Sequence, residues 1–261
     1  MTSRQSLYPN MSLMSRRRKL IAGNWKMHGR LTSGLSLTTE LVQRSKSIRQ
    51  TNIDVVICPP FTLLWAVAEV LSESWIKIGA QDCHQENHGA YTGNISAAML
   101  IDMGCRYVII GHSERRIGHH EEPALIARKV TAAQQAGLTA ILCVGETKQE
   151  YDSGQKTEAV EAQLRQSLPE KYTAANLVIA YEPVWAIGSG VTPDVAEVEK
   201  MHRHIRKTLG TTGEAVQIIY GGSVTPQLAE TYLSSPEIDG FLIGSVSLNA
   251  EGFWAVCEKT H

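Results

Sequence analysis

Three residues of the 261-residue chain stand where proton chemistry would need them. Glu182 directly follows the apolar run Leu177 to Tyr181, His112 follows the run that starts at Tyr107, and Lys26 follows the run that starts at Lys19. A carboxylate, an imidazole and an ammonium brought to one opening could share acid–base work on a bound ligand. No metal-ligand set is visible. His119–His120 and His202–His204 lack companions at ligand spacing, so both pairs read as surface residues.

Two glycine turns add a second kind of chemistry. Gly221-Gly222-Ser223 and Gly244-Ser245 each end an apolar run. Main-chain N–H groups unobstructed by side chains can cradle a phosphoryl group. Singly, each residue has a plainer reading: a solvated lysine, a hydrogen-bonded histidine, a glutamate paired with arginine, a tight turn. Together they point to a small anionic metabolite carrying a phosphoryl group.

The elements that must bring these residues together are legible as a repeat. Eight short runs rich in Val and Ile recur, at residues 19–25, 54–59, 75–80, 107–112, 139–145, 177–182, 216–222 and 239–244. Near-continuous apolar runs suit strands buried on both faces of a parallel sheet. Between them lie helix-like stretches. Ser33 to Gln50 places Leu35, Thr38, Thr39, Leu41 and Val42 toward one face. Glu122 to Gly137 has proline at its start and glycine at its end, and Thr192 to Gly210 opens on Thr-Pro-Asp and closes on basic residues. Strand and helix thus alternate eight times, which predicts an α/β fold, a single (β/α)₈ barrel with a parallel eight-stranded core over residues 19–261. An open doubly wound sheet fits less well, because no G-x-G-x-x-G follows the first run. In a barrel the loops after the strands carry the site, so Lys26, His112 and Glu182 converge on one mouth.

Bulk composition narrows the partners. A formal net charge of -1 argues against nucleic acid, and no apolar run reaches membrane-spanning length. Five widely spaced cysteines without a C-x-x-C pair fit a reducing compartment, here the cytoplasm. Residues 1–18 contain Arg4, Arg16, Arg17 and Arg18 and no acid; they read as a leader or an upstream start rather than as part of the barrel.

The motifs AGNWKMHG (22–29), IIGHSERR (109–116), YEPVWAIGSG (181–190), YGGSV (220–224) and DGFLIG (239–244) resemble the triosephosphate isomerase family. The resemblance runs from about Lys19 to the C-terminus and implies interconversion of dihydroxyacetone phosphate and glyceraldehyde 3-phosphate without a cofactor, in glycolysis and gluconeogenesis. It further implies Glu182 as base, His112 as electrophile, Lys26 as an added positive charge with Asn24 beside it, and Glu114 as support. Gly188, Ser223, Gly244 and Ser245 would hold the phosphate. Pro183, Val184, Trp185, Ala186, Ile187, Gly188 and Ser189 would form a lid. GAYTG (89–93) resembles the family's dimer loop, so Thr92 and Gly93 would meet a second copy in a homodimer. The sequence departs from the family pattern at Ser245, where a second glycine is common, at Ser189 for threonine, at Asn94 for glutamate and at His120 for glycine. Two other functions fit the same residues less fully: an isomerase of a four-carbon ketose phosphate, and a phosphate-metabolite binder that needs no base.

Overall fold

The computed structural model describes residues 17–47, 53–187 and 192–260. Residues 1–16 of the expected leader, and Gly188 and Ser189 of the expected lid, lie outside the described residues. Eight strands form the repeat: β1 (Lys19–Asn24), β2 (Ile53–Cys58), β3 (Lys77–Ala80), β4 (Tyr107–Ile110), β5 (Thr139–Val144), β6 (Leu177–Tyr181), β7 (Gln217–Gly221) and β8 (Gly240–Ile243). They close into one barrel in sequence order. All eight pairings are parallel, including the seam where Leu20 lies opposite Gly240 and Gly23 opposite Ile243. Each predicted run contains its strand, apart from Ile53 at the start of β2.

Alternation along the strands divides the core in two. Leu20, Ala22, Val56, Ile109, Ile141, Val178, Ala180 and Ile219 belong to a compact inner cluster that fills the barrel. Their neighbours Ile21, Val55, Ile110, Leu142, Ile179 and Ile218 belong to the larger cluster that packs against the helices. Burial on both faces is why the strands read as continuous apolar runs. The seam demands a glycine: at Gly240 (φ 142°) a Cβ would stand 1.9 Å from the Leu20 carbonyl oxygen.

The helices among the described residues are α1 (Leu31–Ser45), α2 (Leu64–Leu71), α3 (Ala97–Asp102), α4 (Ser113–Gly118), α5 (Pro123–Ala136), α6 (Lys148–Asp152), α7 (Lys156–Ser167), α8 (Val195–Thr208), α9 (Pro226–Leu233) and α10 (Ala250–Glu258). In α5 the expected Pro123 start and Gly137 end both hold. The buried face of α1 differs from the expected one. It runs through Gly34, Thr38, Leu41, Val42 and Ser45, while Thr39 is exposed. Thr38 and Ser45 tolerate burial because their hydroxyls donate to the Gly34 and Val42 carbonyls at 2.7 Å.

The floor of the barrel, at the N-terminal strand ends, is an ionic layer. Arg17 donates to both oxygens of Asp239 at 2.8 and 3.0 Å and to the Pro236 carbonyl at 2.8 Å. Asp239 also accepts from Arg206 at 3.1 Å and from the Ile218 N–H at 2.8 Å. On the other side of β1, Arg18 and Lys77 both bind Asp54, at 2.9 Å each. Burial alone would raise the Asp54 carboxyl, but the two cations outweigh it and hold it below its ordinary value. Arg17 and Arg18, read as the end of the leader, are therefore tied to the barrel floor. His202 also departs from expectation. It is fully buried rather than on the surface, with Nδ1 3.1 Å from the Glu237 carbonyl oxygen. The reason is its place on α8, one turn from buried Arg206 and on the inward face with Val198 and Ile205.

Candidate active site

At the opposite end of the barrel a cleft of about 450 Å³ opens among the loops that follow β1, β4, β6, β7 and β8. Its lining includes Asn24, Lys26, His112, Glu114, Glu182, Ser223, Gly244 and Ser245. Every expected site residue among the described ones, outside the dimer loop and the lid, thus meets in one space. Ile187 of the expected lid also lines it, and Thr92 and Gly93 lie exposed on their loop.

Glu182 is 3% exposed, held by the rigid end of β6. Its N–H donates to the Val144 carbonyl at 2.8 Å, continuing the β5–β6 ladder past the last strand residue. The neighbouring strand approaches so closely that a Cβ on Gly145 would lie 1.7 Å from the Glu182 carbonyl oxygen, so only glycine fits there. The carboxylate oxygens face two donors. Oε1 stands 3.1 Å from His112 Nε2, and Oε2 accepts the Ser113 N–H at 3.2 Å.

His112 is the N-cap of α4. Its Nδ1 accepts the Glu114 N–H at 3.2 Å, which requires a lone pair on Nδ1 and leaves the ring proton on Nε2. The imidazole therefore presents an N–H donor to the cleft side while remaining uncharged. The same short helix thus fixes both the histidine and, through Ser113, the glutamate.

Lys26 approaches from β1 in an unusual backbone state, with φ 53°. Its N–H donates to Asn24 Oδ1 at 3.0 Å, and its carbonyl accepts from Gln81 Nε2 at 2.9 Å. Gln81 also reaches the Cys58 carbonyl at 2.8 Å, so the end of β3 clamps the Lys26 turn. Lys26 Nζ pairs with Glu114 Oε1 at 2.5 Å and lies 3.9 Å from where a Cβ on Gly244 would stand. The ammonium therefore faces the glycine turns. Ser245 opens a short 3₁₀ turn (Ser245–Leu248), and Ser223 lies two residues before Thr225, the N-cap of α9. Helix starts leave main-chain N–H donors without intrahelical partners, which suits an anion.

Sequence reasoning misses three contributors, Gln81, Cys143 and Glu146; Ser113 follows the fourth run as a candidate and contributes through its main chain. Gln81 and Glu146 follow β3 and β5 closely, so the rule that strand ends carry the site points to both. Burial pushes the Cys143 thiol well above its ordinary value, with the Glu182 charge and a hydrogen bond to Glu182 adding to the shift; it sits beside the carboxylate as a neutral thiol. Glu146 is fully buried and accepts from the Tyr181 hydroxyl at 3.1 Å and from Trp185 Nε1 at 2.8 Å. No group of His, Cys, Asp and Glu among the described residues is placed to hold a metal ion.

An acid–base pair beside main-chain donors at one mouth makes this a (β/α)₈ barrel with a site suited to proton transfer on an anionic ligand. The sequence pattern of the triosephosphate isomerase family matches residues 19–260. The triosephosphate isomerase of Granulibacter bethesdensis is 49% identical over 248 residues, covering 93% of this chain and 99% of that one. That of Afipia carboxidovorans is 48% identical over 245 residues, covering 92% and 97%. The crystal structure of triosephosphate isomerase from Bartonella henselae superposes with a TM-score of 0.85 at 40% identity, covering 93% of this chain and 98% of that one. The chain belongs to the triosephosphate isomerase family.

Proposed function

We propose that this chain interconverts dihydroxyacetone phosphate and D-glyceraldehyde 3-phosphate, with Glu182 moving the proton between the two carbons. The observation that carries the assignment is the contact of Glu182 with His112 Nε2 in a cleft that also holds the glycine turns. Substrate phosphate lies on Ser223, Gly244 and Ser245, with Gly188 as a further donor. The carbonyl then faces His112 Nε2–H and the Lys26 ammonium. Glu182 exchanges its present partners for the carbon-bound proton. Electron density shifts onto oxygen as an enediolate, which the imidazole N–H and the ammonium stabilise. The hydroxyl proton on the first carbon's oxygen passes to the enediolate oxygen, and the carboxylic acid so formed returns its proton to the adjacent carbon, which leaves the carbonyl on the first. Triosephosphate isomerase is itself the standard example of a glutamate base working beside a neutral histidine, so that pairing belongs to the family as a whole.

Glu114 orients Lys26 and lends its N–H to His112 Nδ1. Asn24 holds the Lys26 turn. Pro183 to Ser189 act as the lid, which keeps water from the enediolate and so limits loss of phosphate. The enzyme works as a cytoplasmic homodimer in which Thr92 and Gly93 reach the second copy. A coupled assay tests the reading. The wild-type chain turns over glyceraldehyde 3-phosphate, and binding of a phosphate ester without turnover would sink it. Sedimentation at micromolar concentration checks the dimer, which a monomer would refute.

A further inference from the structure

The segment that follows β5 grips the first turn of the lid at three points. The Glu146 carbonyl accepts the Val184 N–H at 3.1 Å, and the Glu146 carboxylate accepts Trp185 Nε1 at 2.8 Å. Five residues on, the Tyr151 ring lies against the Trp185 ring, centroids 4.2 Å apart and planes tilted by 36°. The indole is thus hydrogen-bonded at its edge by one side chain and covered on its face by another from the same short segment.

That segment is built to stay in place. α6 opens with a reciprocal cap in which the Thr147 N–H donates to Glu150 at 2.7 Å and the Glu150 N–H donates to Thr147 Oγ1 at 3.3 Å. Lys148 and Lys156 place their ammonium groups 5.7 and 5.1 Å from the Tyr151 ring centre, and Lys156 is itself held by Glu197 on α8 at 2.6 Å. The ring is therefore braced by cation–π contacts while it faces the indole.

Trp185 lies three residues beyond Glu182, and Pro183 stiffens the chain between them. Whatever fixes the indole fixes the path by which the chain leaves the base. We propose that Tyr151 is a positioning residue: by stacking on Trp185 it holds the first turn of the lid, and through it Glu182, in the working arrangement. The inference rests on the assignment of Glu182 as the base. It predicts that the ring, rather than its hydroxyl, does the positioning.

The test uses the full chain labelled with 5-fluorotryptophan, with the Trp185 ¹⁹F resonance assigned from Trp185→Phe, alongside steady-state kinetics with glyceraldehyde 3-phosphate. Tyr151→Ala shifts or broadens that resonance and lowers kcat/KM about fivefold, as the loss of one aromatic pair predicts, with a melting temperature lowered by no more than about 4 °C. Tyr151→Phe restores the resonance and returns kcat/KM to within about twofold, the residual being below what one aromatic pair contributes. In a Trp185→Leu background, which removes the partner ring, the further change to Tyr151→Ala costs much less, because the two act as one unit. An unmoved Trp185 resonance in Tyr151→Ala, a Tyr151→Phe variant as impaired as Tyr151→Ala, or full additivity in the double variant would each overturn the proposal. Absence of turnover in the wild-type chain would instead overturn the assigned reaction, and the fluorine spectrum would still report on the stack.

Discussion

The two ends of the barrel use the same residue types for opposite purposes. At the floor, Asp239 accepts from Arg17, Arg206 and the Ile218 N–H, and Asp54 is shared by Arg18 and Lys77. Charge meets opposite charge there at fixed distance. At the mouth, Glu182 is as buried as Asp239, at 3% against 2%, but its partners are neutral donors, His112 Nε2–H and the Ser113 N–H. A carboxylate held by neutral donors can leave them for a substrate. One clamped between two guanidinium groups cannot do so without exposing an unpaired buried charge. Burial alone therefore does not separate these two acids: Asp239 is locked by two guanidinium groups, whereas Glu182 has neutral donors and also lines the open cleft, which equally buried Glu146, held by neutral donors too, does not.

Four substitutions put this contrast at risk, in order of decreasing effect. Glu182→Gln keeps an acceptor for the Ser113 N–H but removes the base. It should cut kcat by about 10³-fold with folding stability near wild type, as general-base losses do, measured by coupled assay and urea melts. Asp239→Ala should do the reverse. Two guanidinium groups lose a buried partner, so unfolding free energy should drop by about 3 kcal/mol while kcat per folded molecule stays within about twofold. A large loss of kcat without loss of stability would erase the distinction between the two ends.

The third test is pH. Burial pushes His202 down to about 3, with Arg206 and Arg17 adding repulsion and the Glu237 carbonyl opposing. The unfolded chain binds this proton below about 6.5 and the folded chain does not. The contribution of His202 to stability is therefore fully present above about pH 6.5 and is lost as pH falls toward about 3, by about 1.4 kcal/mol per pH unit. His202→Gln should flatten that part of the curve in equilibrium unfolding between about pH 7 and 5; an unchanged slope would assign the acid sensitivity elsewhere. The smallest effect belongs to Ser245→Gly. If the hydroxyl adds one hydrogen bond to the phosphate, its removal raises KM roughly fivefold, about 1 kcal/mol, with little change in kcat. An unchanged KM would leave the main chain as the sole contribution of that turn.

Much of the site is legible in the chain because a barrel turns strand order into geometry. Once eight βα units are recognised, the residue after each run must face one mouth, and Lys26, His112 and Glu182 do. What is not legible comes from contacts between units. The left-handed turn at Lys26 depends on Gln81 from the end of β3, the hold on Glu182 depends on the start of α4, and the grip on Trp185 depends on Glu146 and Tyr151. His202 and Arg17 read as surface and leader because local charge says nothing about which buried carbonyl or carboxylate waits for it across the fold.

Local periodicity is enough to set the order of strands and helices, the barrel they close into and the three side chains at its mouth, and the family motifs add the chemistry. Long-range contacts alone settle the partners that hold Glu182 and which charges are locked at the floor, while the protonated nitrogen of His112 is set locally by the Glu114 N–H. The reason is physical: hydrogen bonds and ion pairs that act over 2.5–3.2 Å join residues as many as 222 positions apart, and no local pattern encodes that distance.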